Sequence, residues 1–202
     1  MFKFNKYSGQ ASKLLLVLAI VVLVAVIITF LVLKMAEKPA QPVVPTGPVV
    51  QLPVYEQTIN GIRFVFESAI DRGQILTASE VTNTQYASYQ KDLPVSNTGA
   101  KFIQVTVGAQ NMGTENTQQN AWDMGNIVDS DGRNFVPLDN SSVNSWLPYP
   151  NQCGALLKPA FDPTPCTQIY EVSKQSTGLK IVVEASKGSS SKTPTSIDLI
   201  VK

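Results

Sequence analysis

The chain has 202 residues, is 44% hydrophobic and 15% charged, carries a net charge of +1, and contains two cysteines and no histidine. Without histidine there is no Ser-His-Asp triad, no Cys-His pair and no HExxH zinc site, which removes most hydrolase classes. From residue 55 onward 11 basic residues face 14 acidic ones, a net of −3 with no basic cluster, and this excludes the electrostatic footprint of a nucleic-acid binder.

Leu14 to Leu33 reads LLLVLAIVVLVAVIITFLVL, with Thr29 as its one polar side chain. At about 1.5 Å per residue, twenty such residues cross about 30 Å of hydrocarbon as a helix. The run predicts an uncleaved signal anchor in the bilayer. A cleaved signal peptide is the competing reading, but it calls for an h-region of about 7 to 15 residues and a small-residue cleavage site, and KMAEKPA at 34–40 is a poor one. Lys3, Lys6 and Lys13 precede the span without an acid, whereas Glu37 accompanies Lys34 and Lys38 after it. That bias places residues 1–13 in the cytoplasm and the remainder outside.

Residues 34–54 form a proline-rich stalk, with Pro39, Pro42, Pro45 and Pro48 at every third position. A polyproline II helix has three residues per turn, so these prolines share one edge of a stiff segment that would reach up to about 60 Å. A PxxP ligand for an SH3-type groove is the alternative.

Residues 55–202 read as an all-β domain. IRFVFESAI at Ile62–Ile70 predicts a strand ended by the Asp71-Arg72-Gly73 turn. KFIQVTV at Lys101–Val107 alternates so that Ile103, Val105 and Val107 face a core while Gln104 and Thr106 face out. Trp122–Val128, Asp129-Ser130-Asp131-Gly132 and Arg133–Val136 predict a hairpin with a left-handed residue at Gly132. Further strands are expected at Thr167–Val172, Leu179–Glu184 and Ile197–Val201, the last two joined by the flexible stretch KGSSSKTPTS. Between residues 74 and 98, QILTASEV reads as a strand and NTQYASYQKDL as a turn of helix. Six or seven short strands without a helical period predict an antiparallel sandwich.

The chemistry-bearing residues are few. Cys153 and Cys166 have twelve residues between them, stand among turn formers and predict a disulfide in an oxidising compartment. Two unpaired core thiols are the alternative, and zinc would need ligands the chain lacks. Asp129-x-Asp131-Gly132 resembles the opening of a calcium loop, but the twelfth position holds Asn140 in place of a closing glutamate, so a plain β-turn competes with it. Asp123, Asp129, Asp131 and Asp139 are the carboxylates closest to a glycosidase-like set, although turn and surface positions account for them more simply. Trp146 and Tyr149, in the proline-stiffened WLPYP loop, are candidate binding residues for a sugar or an apolar protein surface; the alternative is a lid with Trp146 folded over the sandwich. There is no GxxxxGK[ST] or GxGxxG phosphate loop, and no cofactor is expected.

Three stretches, GAKFIQVTVGAQNMGTE, NIVDSDGRNFVPL and LKPAFDPTPCTQIYEVSKQSTGLKIVVEAS, contain an Asn-x-Gly at Asn111 and Gly113 and the triplet Tyr170-Glu171-Val172. In their order the chain resembles a bacterial domain-of-unknown-function family with an immunoglobulin-like sandwich, related to the immunoprotective extracellular protein family. The resemblance covers about 90 residues. The Cys153/Cys166 segment and the long 71–98 segment depart from the usual pattern. It implies an immunoglobulin-like antiparallel sandwich behind an N-terminal membrane anchor, located outside the cytoplasm, with no catalytic residues to transfer. The function expected from all of this is non-enzymatic: a module tethered to the bilayer through residues 14–33 that binds a protein or glycan at the envelope. A structural subunit of an envelope complex is the alternative.

Overall fold

The computed structural model describes residues 18, 20–24, 28, 52–83, 90–188 and 191–202. The chain divides into two compact units, Met1–Val50 and Gln51–Lys202. In the first, residues 18, 20–24 and 28 are helical and their apolar side chains are exposed. No helix among the described residues is long and apolar enough to cross a membrane. The rest of the predicted span, residues 1–13 and the stalk as far as residue 51 lie outside the described residues.

The second unit is all-β. Its strands are β1 (Glu56–Ile59), β2 (Ile62–Gly73), β3 (Ile75–Leu76), β4 (Leu93–Pro94), β5 (Ala100–Asn111), β6 (Trp122–Val128), β7 (Asn134–Phe135), β8 (Thr164–Ser173), β9 (Lys180–Ala185) and β10 (Thr193–Asp198). Two four-stranded antiparallel sheets, ordered β1-β2-β5-β8 and β10-β9-β6-β7, pack as a sandwich, and β3 pairs with β4 in a small third sheet.

The core lies between the sheets. Phe64 on β2 and Ile103, Val105 and Val107 on β5 meet Trp122, Ile127, Ile181 and Val183 from the opposite sheet, all buried. The Phe64 and Trp122 rings pack edge to face with centroids 6.2 Å apart, a favourable arrangement of their quadrupoles. A register shift between Met124 and Ile127 interrupts the β6–β9 ladder at Gly125. The Gly125 carbonyl instead accepts a 2.8 Å hydrogen bond from the Tyr170 hydroxyl of β8, so a polar side chain crosses the core with its bond satisfied. Burial, with the charge of Asp123 nearby, pushes the Tyr170 phenol well above its usual range.

On β5 the predicted inward set is buried, but Phe102, on the opposite face, is buried too. It joins Leu76, Val143, Trp146, Leu147 and Ile169 in a second cluster on the outer face of the first sheet. Connecting segments around residues 74–83 and 138–147 therefore cover that face, which is why β5 is apolar on both sides.

Several boundaries differ from the sequence reading. A hairpin begins the domain, with Asn60 at φ 51° and Gly61 at φ 80°, the pair of left-handed residues that a two-residue type I′ turn needs. The final strand starts at Thr193 and ends at Asp198, earlier than the predicted Ile197–Val201. Pro194 is accommodated because β10 is a sheet edge, where a missing N–H costs no ladder bond. In QILTASEV, Ile75–Leu76 is extended while Ala78–Glu80 forms a 3-10 turn. Residues 84–89, within the predicted helical turn, lie outside the described residues.

Candidate functional site

The connection from β7 to β8 carries Asp139, Trp146, Tyr149 and Cys153. Asp139 begins a helical turn, Asn140–Val143, by accepting the Ser141 N–H at 3.3 Å, as an N-cap carboxylate does. A 3-10 turn, Asn144–Trp146, follows and drives Trp146 into the second cluster. The indole is 0% exposed, and its Nε1–H donates to the Thr77 carbonyl at 2.8 Å. The Thr82 and Asn83 N–H groups bind the Ser145 carbonyl at 3.0 and 3.1 Å, locking the turn to the segment beneath. Of the two candidate binding aromatics, the fold uses Trp146 as a lid over the sheet and keeps its ring from any ligand. The reason is area: an indole beside Phe102 and Ile169 gains more from burial than from a loop position in water. Tyr149 stays 76% exposed.

Beyond Tyr149 the loop turns over the free edge of β8. Asn151 Oδ1 accepts the Thr167 N–H at 3.1 Å while its Nδ2 donates to the Thr167 carbonyl at 2.7 Å. One side-chain amide thus takes the place of a neighbouring strand, and an exposed edge is a template for aggregation. Replacing Asn151 with alanine orphans both groups of a buried residue, and an expected loss of about 1 to 3 kcal/mol should appear as a lower urea midpoint. Cys153 and Cys166 are joined in a disulfide with their Cα atoms 4.6 Å apart. The Ala155 carbonyl accepts the Trp122 indole N–H at 2.7 Å, closing the same loop onto the core.

Asp129 and Asp131 occupy the turn between β6 and β7. Asp129 Oδ1 accepts the backbone N–H of Asp131 at 3.0 Å and of Arg133 at 2.9 Å, and its Oδ2 accepts Arg133 Nε at 2.6 Å. Gly132 takes φ 78°, and Asp131 pairs with the same guanidinium at 2.8 Å. These oxygens are occupied in building the turn, and no group of three or more metal-ligating side chains gathers among the described residues. Burial alone would raise the Asp129 pKa. It is outweighed by the Ser176 hydroxyl, which approaches without meeting hydrogen-bond geometry, and by Arg133 and the two backbone N–H donors, which together hold the group at about 2.

A group whose pKa is depressed on folding stabilises the fold above its unfolded value and loses that contribution as pH falls through its folded value. Wild-type stability should therefore decline from about pH 4 to about pH 2 more steeply than that of Asp129→Asn. The difference between the two thermal-midpoint curves isolates this carboxylate from Glu56, Asp71 and Asp139, which shift in the same direction.

The remaining carboxylates also have structural partners. Asp123 accepts its neighbour Met124 N–H at 2.9 Å and meets Lys192 at 3.5 Å, while Asp139 caps its helical turn. The four predicted acids are not gathered at one cleft.

Two concave surfaces that no short motif signalled lie at the two ends of the sandwich. One, of about 630 Å³, is lined by Ser96, Asn97, Val136, Leu138, Glu171 and Ser173 among others. There the Glu171 carboxylate accepts the N–H and hydroxyl of Ser96 at 2.8 and 2.7 Å. The other, of about 390 Å³, lies between the β1–β2 turn, the β5–β6 loop and the β9–β10 loop. Both bring together segments distant in sequence.

No protein-family model and no curated protein matches the sequence. Among solved structures the chain is similar to a conserved hypothetical protein from Bacillus anthracis, at 14% identity, over 71% of this chain and 98% of that one, with a TM-score of 0.44. An uncharacterized beta-sandwich protein from Clostridium difficile 630 shares 7% identity over 74% of this chain and 92% of its own, at a TM-score of 0.39. A functionally unknown protein from Listeria monocytogenes EGD-e is similar at 7% identity, covering 73% and 82% of the two chains, with a TM-score of 0.41.

Proposed function

We propose that the chain is a membrane-tethered, extracytoplasmic binding module: residues 14–33 anchor it, residues 34–54 hold it away from the bilayer, and an immunoglobulin-like sandwich meets an envelope component through its loops without performing catalysis. The observation that carries this reading is the Cys153–Cys166 disulfide, because such bonds persist in oxidising compartments and are rare in the cytosol. The exposed apolar helical residues at 18, 20–24 and 28 support the anchor, since an all-round apolar helix finds its solvent in lipid. The structural-subunit alternative looks for an apolar patch on one sheet face or an exposed edge strand; along β8, Asn151 pairs with Thr167.

The test is fractionation of cells expressing the full-length chain, with thiol labelling before and after reduction. Recovery in the membrane fraction, with thiols reactive after reduction alone, is the expected result. A full-length chain in the soluble cytosolic fraction with both thiols reactive would overturn the proposal.

A further inference from the structure

We propose that the 390 Å³ groove is a carbohydrate site that takes a neutral, hydroxyl-rich glycan; this deepens the binding-module reading and rests on it. Its position is the first argument. Within the sandwich unit the chain enters at the other end, where the Asp198 N–H donates to the Val54 carbonyl at 2.8 Å and the Val54 N–H to Asp198 Oδ2 at 2.6 Å. Asp198 pairs with Lys180 at the start of β9, whereas the groove lies where β9 ends, beyond Ala185. Within this unit the groove therefore lies at the end of the sandwich opposite the one where the chain enters.

Chemistry is the second argument. Asn60 Nδ2 donates to the Ala185 carbonyl at 2.8 Å, and Asn111 Nδ2 donates to the carbonyls of Glu115 and Leu157 at 2.6 and 3.1 Å. These bonds hold the walls, which leaves Thr114, Asn116 and Gln118 exposed along the loop. A side-chain amide donates and accepts at once, which matches a sugar hydroxyl that does the same. Glu115 and Lys187, the charged lining residues, oppose each other in sign, so the groove offers no field for a polyanion. Met112, between the lining residues Asn111 and Gly113, is exposed at the rim and offers an apolar contact to a sugar-ring face. The volume falls within the range of small-ligand sites.

The experiment uses the full chain in lipid nanodiscs over an array of immobilised oligosaccharides. Neutral probes are a β-1,4-linked N-acetylglucosamine tetramer and linear glucans, and the anionic probe is polygalacturonate. Retention on at least one neutral probe is expected, weakened about tenfold or more in Asn116→Ala/Gln118→Ala and unchanged in Lys91→Ala, an exposed residue outside the groove lining. Binding to none of the neutral probes, binding to polygalacturonate alone, or full retention by the double variant would overturn the assignment. A chain that fractionates with membranes and shows one of those outcomes loses the glycan site and keeps the tether. A cytosolic chain with reactive thiols loses both.

Discussion

Truncating Trp146 to alanine is expected to lower the stability of the sandwich by about 3 to 5 kcal/mol, the range for deleting a large buried aromatic. Three losses coincide. The indole leaves a cavity among Phe102, Leu76, Val143 and Ile169; the Thr77 carbonyl loses its donor; and the turn that holds Ser145 against Thr82 and Asn83 loses its anchor. Against a domain stability of about 5 to 15 kcal/mol this is a large fraction. Urea denaturation of Trp146→Ala beside Tyr149→Ala is the measurement. The tyrosine variant should stay within about 0.5 kcal/mol of wild type, because its side chain is exposed. Equal midpoints for wild type and Trp146→Ala would mean that the second cluster does not contribute to stability as described. Because the indole is buried, a binding defect in that variant would report unfolding of the loop and say nothing of direct contact.

Removing the disulfide is expected to cost about 3 kcal/mol, from the entropy restored to the unfolded chain when a loop of about 14 residues opens. The bond joins Cys153, packed against the main core, to Cys166 on β8. It acts together with Asn151 and the Trp122–Ala155 hydrogen bond to hold the loop on the strand edge. A reductant should shift the wild-type urea midpoint downward and leave Cys153→Ala/Cys166→Ala where it already stands. A wild-type midpoint indifferent to reductant would show that the crosslink does not limit the unfolded ensemble. These three features share one loop, so their energies are not expected to add.

The all-β class and the central strands were legible because period-two alternation is a local property: Ile103, Val105 and Val107 report their shared face without reference to any other segment. The Asp129–Gly132 turn was equally local, since its glycine and its carboxylate act within five residues. The first hairpin was legible in principle from Asn60-Gly61, a strong type I′ signal, but the strand before it is four residues long and directly follows the proline-rich segment. The start of β10 was hidden by its composition. Thr193, Pro194, Thr195 and Ser196 look like loop, and pairing with Glu184 and Val183 across an edge makes them strand.

By itself the sequence determined the all-β class, the two cysteines placed to pair, the absence of histidine chemistry, and a twenty-residue apolar run at residues 14–33. Tertiary structure alone decided that Trp146 is core while Tyr149 is surface, that Asn151 stands in for a missing strand, and that loops far apart in the chain enclose a groove. The physical reason is range. Turn geometry, alternation and hydropathy are set by neighbouring residues, whereas burial and cavity shape depend on which distant segments come to lie together.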